Sequence, residues 1–208
     1  MLPLNENLKK RLATIIVGAP IVIGVLYLGG VVFEFVLGVA MLLAFYEWLS
    51  MAKRSKYFVV LSLLGALYIL TGFVSLYALR EIGFFAIFIV LLCVWMSDSV
   101  AYIAGKTFGG ARMSPTISPN KTWAGYAGAL IGPMLVLMAG INNSLGFLVF
   151  GAVIGVVGQS GDLIVSALKR HVGAKDTGAL FPGHGGILDR IDALLLVAPV
   201  FLVGLSLI

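Results

Sequence analysis

Apolar runs about as long as a bilayer core is thick recur along this chain, and they limit its fold more than any other feature. A helix needs about 20 apolar residues to cross a bilayer. Of the 208 residues, 61% are hydrophobic and 11% are charged, whereas roughly a quarter are charged in soluble domains. The sequence predicts an all-α fold, a polytopic transmembrane helical bundle with about seven spans: Leu12–Leu28, Val31–Ala52, Tyr57–Leu79, Ile82–Ile103, Trp123–Gly140, Leu145–Leu168 and Leu188–Ile208.

The distribution of basic residues predicts the orientation of these spans. The basic start and the apolar stretch after it resemble a secretory signal, but no A-x-A-like site follows, which favours an uncleaved first helix. With a cytoplasmic N-terminus and seven spans, all of the 14 lysines and arginines except Arg80 fall on the cytoplasmic side. The positive-inside rule therefore accounts for the net charge of +5 without nucleic acid as a partner. We expect a protein of the cytoplasmic (inner) membrane with its active site facing the cytoplasm.

The longest polar connections divide the chain into two parts. Residues 1–80 are expected to form N-terminal transmembrane helices, and residues 81–208 a catalytic transmembrane region with cytoplasmic loops 105–122 and 169–187. We find no internal repeat in the sequence. A homodimer is expected because many membrane enzymes of this size pair.

Ionisable residues within the predicted spans are candidate functional residues, because a charge inside a bilayer is costly. Asp98 lies within the fourth span, and Asp162 lies on one helical stripe with Ser166 and Lys169. Glu34 and Glu47 lie near span ends. For these two glutamates a structural role, in which the side chain reaches an interface, is favoured over a catalytic one.

The stretch FPGHGGILDRID, at 181–192, brings together turn glycines, His184 and two aspartates. Asp189 and Asp192 are three residues apart and share a helical face. Their role could be purely structural, because carboxylates near a helix N-terminus are stabilised by the helix dipole. However, Asp98 and Asp162 also map to cytoplasmic halves of spans. Carboxylates that converge in a low dielectric repel each other unless a cation lies between them. Oxygen ligands and substrate phosphates suit Mg²⁺, with or without a second cation.

A second polar element, SPNKT at 118–122, directly precedes a predicted helix. A loop at a helix N-terminus is suited to phosphate, although this composition is common in loops. Carboxylates for a metal, cations for anionic oxygens and glycine turns together favour phosphoryl or nucleotidyl transfer. No Ser-His-Asp order and no zinc-type spacing is evident.

The segment SALKRHVGAKDTGALFPGHGGILDRID, at 166–192, resembles the signature of the phosphatidate cytidylyltransferases, S-x-x-K-R-x4-K-D-x5-P-G-H-G-G-x-x-D-R-x-D. The stretches SDSVAYIAGKTFG and SPNKTWAGYAG are also similar to that family. One departure is Val165, where the family often has an acidic residue. The resemblance implies transfer of CMP from CTP to phosphatidate at the bilayer, giving CDP-diacylglycerol and pyrophosphate in phospholipid biosynthesis.

The resemblance also implies roles for particular residues. The metal ligands would be Asp162, Asp189 and Asp192. The catalytic set would comprise Asp162, Lys169, Arg170, Lys175, Asp176, His184, Asp189 and Arg190. The substrate-binding set would comprise Asp98, Ser118, Asn120, Lys121, Thr122, Ser166, Gly185 and Gly186.

Two kinds of alternative stay open at this point. One is another lipid enzyme that uses CTP, such as a polyprenol kinase or an archaeal-type lipid cytidylyltransferase (CDP-archaeol synthase). The other is an ion-coupled transporter, which usually shows two related halves and a site near the midplane. The clustering of polar residues toward one face and the absence of a repeat favour an enzyme.

Overall fold

Seven helices and one β-hairpin make up the computed structural model, which describes residues 6–141, 144–178, 180 and 185–207, with side chains from residue 17 to residue 205. The helices are α1 Glu6–Leu28, α2 Gly30–Ala52, α3 Phe58–Ile82, α4 Phe84–Phe108, α5 Trp123–Gly140, α6 Leu145–His171 and α7 Leu188–Leu207. The strands are β1 Arg112–Ser114 and β2 Ser118–Thr122.

Five of these helices, α2 to α6, are long and apolar enough to cross a membrane. The described apolar part of α1, Val17–Leu28, is shorter than a span. Over the part described with side chains, α7 is not among the five, and its first two turns carry Asp189, Arg190 and Asp192. The prediction of a mostly helical protein with several membrane-spanning helices is thus confirmed.

The segment between α4 and α5 departs from the all-α prediction. Helix α4 continues to Phe108, beyond the predicted span end at Ile103, and the rest of the predicted loop forms the antiparallel hairpin β1–β2. Arg112 pairs with Thr122, and Ser114 pairs with Ser118, with an irregularity between the two pairs. The hairpin leads into α5 without an intervening loop, because Thr122 is both the last residue of β2 and the N-cap of α5.

The helices that carry the predicted site residues approach each other closely through glycines. Gly132 of α5 lies against the backbone of Met96 in α4, and Gly155 of α6 lies against the backbone of Ala129 in α5. A Cβ atom at either glycine would overlap the neighbouring backbone. This spacing lets α4, α5 and α6 form one tightly packed layer beside the site.

Helix α7 lies at the centre of the bundle. It packs mainly against α3 and α6, and also contacts α2 and α4. Leu195, Val197 and Ala198 of this helix are fully buried, and Phe201 is almost so. Large apolar side chains of the outer helices, such as Val31, Phe35 and Phe85, are exposed instead. Such a surface is expected of a protein that faces lipid.

Candidate active site

A polar cavity of about 460 Å³ opens between α4, α5, α6 and the hairpin. Four of the predicted substrate-binding residues and one predicted metal ligand line it: Asp98, Asn120, Lys121, Thr122 and Asp162. Lys106, Tyr126 and Gln159 contribute further polar groups to the wall. The fold therefore brings these separate stretches of sequence together at one cavity.

Lys121 and Asp162 form an ion pair inside this cavity. The Lys121 Nζ lies 2.5 Å from Asp162 Oδ2 and donates a hydrogen bond of 2.9 Å to Gln159 Oε1. The side chains of Lys121 and Asp162 are 20% and 35% exposed, so a ligand can reach both. The other carboxylate oxygen, Oδ1, accepts a hydrogen bond of 3.1 Å from the buried Ser166 hydroxyl. Ser166 thereby orients Asp162 from the same helix.

A second ion pair links α6 to the start of α7. The Lys169 Nζ donates to Asp189 Oδ1 at 2.6 Å, and the two side chains are only 11% and 7% exposed. Asp189 Oδ2 accepts hydrogen bonds from the Thr177 N–H at 2.9 Å and the Gly186 N–H at 3.0 Å, and it lies 3.0 Å from the Thr177 hydroxyl, whose single proton it shares with Glu47. Asp189 is therefore fixed through one oxygen by the loop and paired through the other with a lysine.

Asp192 lies one turn further along α7 and is 8% exposed. Its Oδ1 accepts a hydrogen bond of 2.8 Å from the Ala193 N–H, and its backbone carbonyl accepts one from the Tyr68 hydroxyl. The carboxylate is close enough to interact electrostatically with Asp162, Asp98 and Lys169. Three aspartates from α4, α6 and α7 thus lie within electrostatic range of one another.

The remaining cationic candidates lie around this centre. Arg170 is exposed and donates to the carbonyl oxygens of Ile117 and Ala174 at 3.2 and 3.1 Å, which ties the β-hairpin to the end of α6. Lys175 and Asp176 are exposed in the following loop. Arg190 is exposed and lies within electrostatic range of Asp98. His184 lies outside the described residues.

Other predicted site residues have clear structural roles. The Thr122 hydroxyl accepts a hydrogen bond of 3.1 Å from the Gly125 N–H and so caps α5. Ser118 begins β2, half-buried, at the far end of the strand from Lys121. Gly185 has φ +78°, a conformation that favours glycine, and a Cβ atom there would meet Asp189 Oδ2. The glycine pair of the signature therefore lets the loop close over the aspartate.

Three residues in the site were missed by sequence reasoning. Glu47 was expected to reach an interface, but it is buried, 5% exposed, against the signature loop. Thr177 joins Glu47 to Asp189, and Gln159 holds Lys121. The sequence did hold a clue to the role of Glu47, because a carboxylate within an apolar run is costly. Nothing in the sequence singles out Thr177 or Gln159.

Val165, the departure from the family signature, is fully buried in the hydrophobic core. It follows Asp162 on α6 and precedes the buried Ser166. A carboxylate at this position would lie among apolar side chains, where an unpaired charge is costly. The valine therefore suits the packing around this part of α6.

Within the described residues, no group of three or more histidine, cysteine, aspartate or glutamate side chains has ready-made metal-binding geometry. Asp162 and Asp189 each hold a lysine on one oxygen instead. In this structure a lysine ammonium neutralises each of these two carboxylates, as a metal ion would.

Comparison with known proteins agrees with this site. A model of the cytidylyltransferase family matches residues 55–208. A phosphatidate cytidylyltransferase of Staphylococcus saprophyticus is 37% identical over 169 residues, which cover 78% of this chain and 65% of that protein. One of Staphylococcus aureus is 38% identical over 160 residues, covering 74% and 62%. The chain therefore spans less than two thirds of the length of these relatives. The matched region contains both lysine–aspartate pairs and the whole signature, and the chain belongs to the cytidylyltransferase family.

Proposed function

We propose that this protein is a phosphatidate cytidylyltransferase, which transfers CMP from CTP to phosphatidate. A phosphate oxygen of phosphatidate attacks the α-phosphorus of CTP, and the bond between that phosphorus and the oxygen bridging to the β-phosphorus breaks. The products are CDP-diacylglycerol and pyrophosphate. A phosphate monoester is already an adequate nucleophile, so the reaction requires alignment and charge neutralisation more than a strong base.

The observation that carries this proposal is the cavity that contains the Lys121–Asp162 ion pair and is lined by both lysines and aspartates. Its volume of about 460 Å³ falls in the range of small-molecule sites. The cavity is lined by two lysines, Lys106 and Lys121, together with Asn120 and Thr122. These groups are suited to the negative oxygens of a triphosphate. The names of the relatives supply the lipid substrate, since the cavity itself does not distinguish acyl chains.

The carboxylates fit Mg²⁺ by their chemistry. Asp162, Asp189 and Asp192 offer only oxygen ligands, and two of the three are largely buried. Lysines pair with Asp162 and Asp189, and a divalent cation would further relieve the repulsion between Asp192 and Asp162. We assign the metal to these three residues, with Asp98 as a neighbour that interacts with Asp162. When bound, the ion would neutralise charge on the triphosphate and help to align its α-phosphorus.

The lysines of the two ion pairs complete the assignment. Lys121 and Lys169 hold Asp162 and Asp189 in the ligand-free protein and bind phosphate oxygens when substrates enter. Arg170, Lys175 and Arg190 supply further positive charge at the edge of the site. Thr122 caps α5 at the β2–α5 junction, and Ser166 orients Asp162. Ser118 and Asn120 stay predicted substrate-binding residues. Asp176 and His184 stay predicted catalytic residues, and Gly185 and Gly186 adjoin Asp189.

The membrane arrangement is part of the proposal. We assign seven spans with a cytoplasmic N-terminus, of which residues 81–208 form the catalytic region. The positive-inside rule then places the polar connections and the site on the cytoplasmic side. The exposed basic residues Lys53, Arg54, Lys106 and Lys175 agree with a single cationic side. A homodimer stays a prediction, and an accessibility assay on cysteines introduced in the connections between helices would test the orientation.

The experiment uses purified protein in mixed micelles with α-³²P-labelled CTP, phosphatidate and Mg²⁺. We expect label in a lipid product that requires phosphatidate and disappears with EDTA. Glu34→Gln is the matched control, because Glu34 is exposed on α2. Label transferred from γ-³²P-labelled CTP to a polyprenol, with none transferred from α-labelled CTP, would contradict the proposal and indicate a kinase.

A further inference from the structure

Glu47 is a buried carboxylate on α2, far in sequence from the signature that it contacts. Its side chain is 5% exposed, and both of its oxygens accept hydrogen bonds from residues more than a hundred positions away. Burial of a carboxylate is costly unless hydrogen bonds compensate for the lost hydration. A residue of this kind in an apolar helix requires a specific explanation.

The donors to Glu47 are the start of α7 and the loop before it. Oε1 accepts from the Ile187 N–H at 2.9 Å, and Oε2 accepts from the Leu188 N–H at 2.9 Å. The first N–H groups of a helix have no partner within it and carry partial positive charge. Glu47 therefore caps α7 from another helix, directly before the aspartates of the site.

Thr177 connects this cap to Asp189. Its hydroxyl lies 2.7 Å from Glu47 Oε2 and 3.0 Å from Asp189 Oδ2, while its N–H donates to the same Asp189 oxygen at 2.9 Å. A hydroxyl has one proton, so it serves one of the two carboxylates at a time or is shared between them. Both carboxylates thus hold one short segment of the loop.

The loop is shaped to fit the Glu47 side chain. A Cβ atom added at Gly178 or at Gly186 would overlap the Glu47 carboxylate, and at Gly186 it would also overlap the Thr177 hydroxyl. Gly186 simultaneously donates its N–H to Asp189. The second glycine of the Gly185-Gly186 pair is therefore required by the approach of Glu47 as well as by Asp189.

We propose that Glu47 is a positioning residue for the cytidylyl-transfer site, which it serves by fixing the first turn of α7 and Thr177 so that Asp189 and Asp192 keep their places. It acts through these groups and not by touching substrate. This inference rests on the proposed function for its kinetic consequence. Its structural consequence, the fixed first turn of α7, is independent of the reaction.

Glu47→Gln is the informative variant because it keeps the size of the side chain. Whichever way the amide is turned, its NH₂ group faces a backbone N–H of Ile187 or Leu188, so one donor of α7 loses its acceptor. Glu34→Gln is the matched control, since Glu34 is exposed on the same helix. Thr177→Val tests the connection to Asp189 separately.

The experiment combines hydrogen–deuterium exchange with steady-state kinetics on the full chain in nanodiscs. In Glu47→Gln we expect exchange within residues 185–190 to quicken by about tenfold or more, since hydrogen bonds to charged groups typically contribute at least that factor. We expect kcat to fall by a similar factor with the KM for CTP changed less than threefold, because Glu47 does not line the nucleotide cavity. Glu34→Gln should match the wild type in both measurements.

Unchanged exchange at 185–190 in Glu47→Gln would overturn the positioning role, whether or not the protein turns over CTP. Faster exchange with a normal kcat would show a structural cap only and would also overturn it. If the wild type transfers no label to phosphatidate, the proposed function fails by itself, and the exchange experiment still decides whether Glu47 fixes α7. Should Glu47→Gln not fold, Thr177→Val provides the same two readouts.

Discussion

The two lysine–aspartate pairs of the site have the same chemistry but different surroundings. Lys121–Asp162 faces the cavity, with side chains 20% and 35% exposed. Lys169–Asp189 is closed, with side chains 11% and 7% exposed, and Asp189 also accepts two backbone hydrogen bonds and lies beside the Thr177 hydroxyl. The first pair is accessible to a ligand, whereas the second is also a structural joint between α6, the loop and α7.

This difference suggests two tasks for the two pairs in the proposed metal site. Asp162 is held by Ser166 and one lysine, so it can change partner if substrate enters. Asp189 is fixed through Oδ2, and its Oδ1 would have to exchange Lys169 for the metal. Replacing Asp189 should therefore affect both folding and activity, whereas replacing Asp162 should affect activity alone.

Asp189→Asn is expected to have the largest effect. The variant removes a proposed metal ligand and leaves Lys169 as a largely buried, unpaired charge, which typically costs about 3–5 kcal/mol of folding free energy. We expect CMP transfer to fall on the order of 1000-fold, with a clear decrease in Tm by differential scanning fluorimetry in detergent. A normal Tm would show that the closed pair is not a structural joint.

Asp162→Asn should lower CMP transfer on the order of 100- to 1000-fold, because a charge that supports the transition state is lost. Its Tm should stay close to that of the wild type, since the side chain is partly exposed and its loss relieves repulsion with Asp98 and Asp192. The radiolabel assay and fluorimetry measure both quantities. A Tm loss as large as that of Asp189→Asn would remove the distinction between the pairs.

Lys121→Met should raise the KM for CTP by about 10- to 100-fold, because hydrogen bonds to charged groups contribute about 1.5–3 kcal/mol. Lys121→Arg is its control, since it keeps the positive charge, and we expect a smaller rise. Initial rates over a range of CTP concentrations give both values. An unchanged KM in Lys121→Met would place the nucleotide phosphates outside this cavity.

Asp98→Asn should have the smallest effect, a change in CMP transfer of about fivefold or less, because a partly screened charge interaction is typically worth under about 1 kcal/mol. Its main consequence should be a shift in the Mg²⁺ concentration that gives half-maximal rate. A loss as large as that of Asp162→Asn would make Asp98 a full metal ligand.

Much of this arrangement was accessible from the sequence, for identifiable reasons. Long apolar runs indicated the helices, and the cost of intramembrane charge singled out Asp98, Asp162, Asp189 and Asp192. The pairing of Lys169 with Asp189, and not with Asp162 on its own helical stripe, was not predictable, because the loop path decides it. Glu47 was misread as reaching an interface, since only the tertiary fold brings α2 to the start of α7. The β-hairpin was missed because its strands are short and polar.

The most direct test of this account is the binding of Mn²⁺, as a spectroscopic substitute for Mg²⁺, measured by electron paramagnetic resonance on the wild type, Asp162→Asn and Asp189→Asn. We expect the wild type to bind the ion in the presence of CTP, and each variant to bind it at least about tenfold more weakly. Loss of a residue that only supports a ligand typically lowers metal affinity by about that factor, so loss of a ligand should lower it at least as much. Glu34→Gln should bind as the wild type does. Wild-type affinity in both aspartate variants would contradict the assignment of the metal to the two pairs.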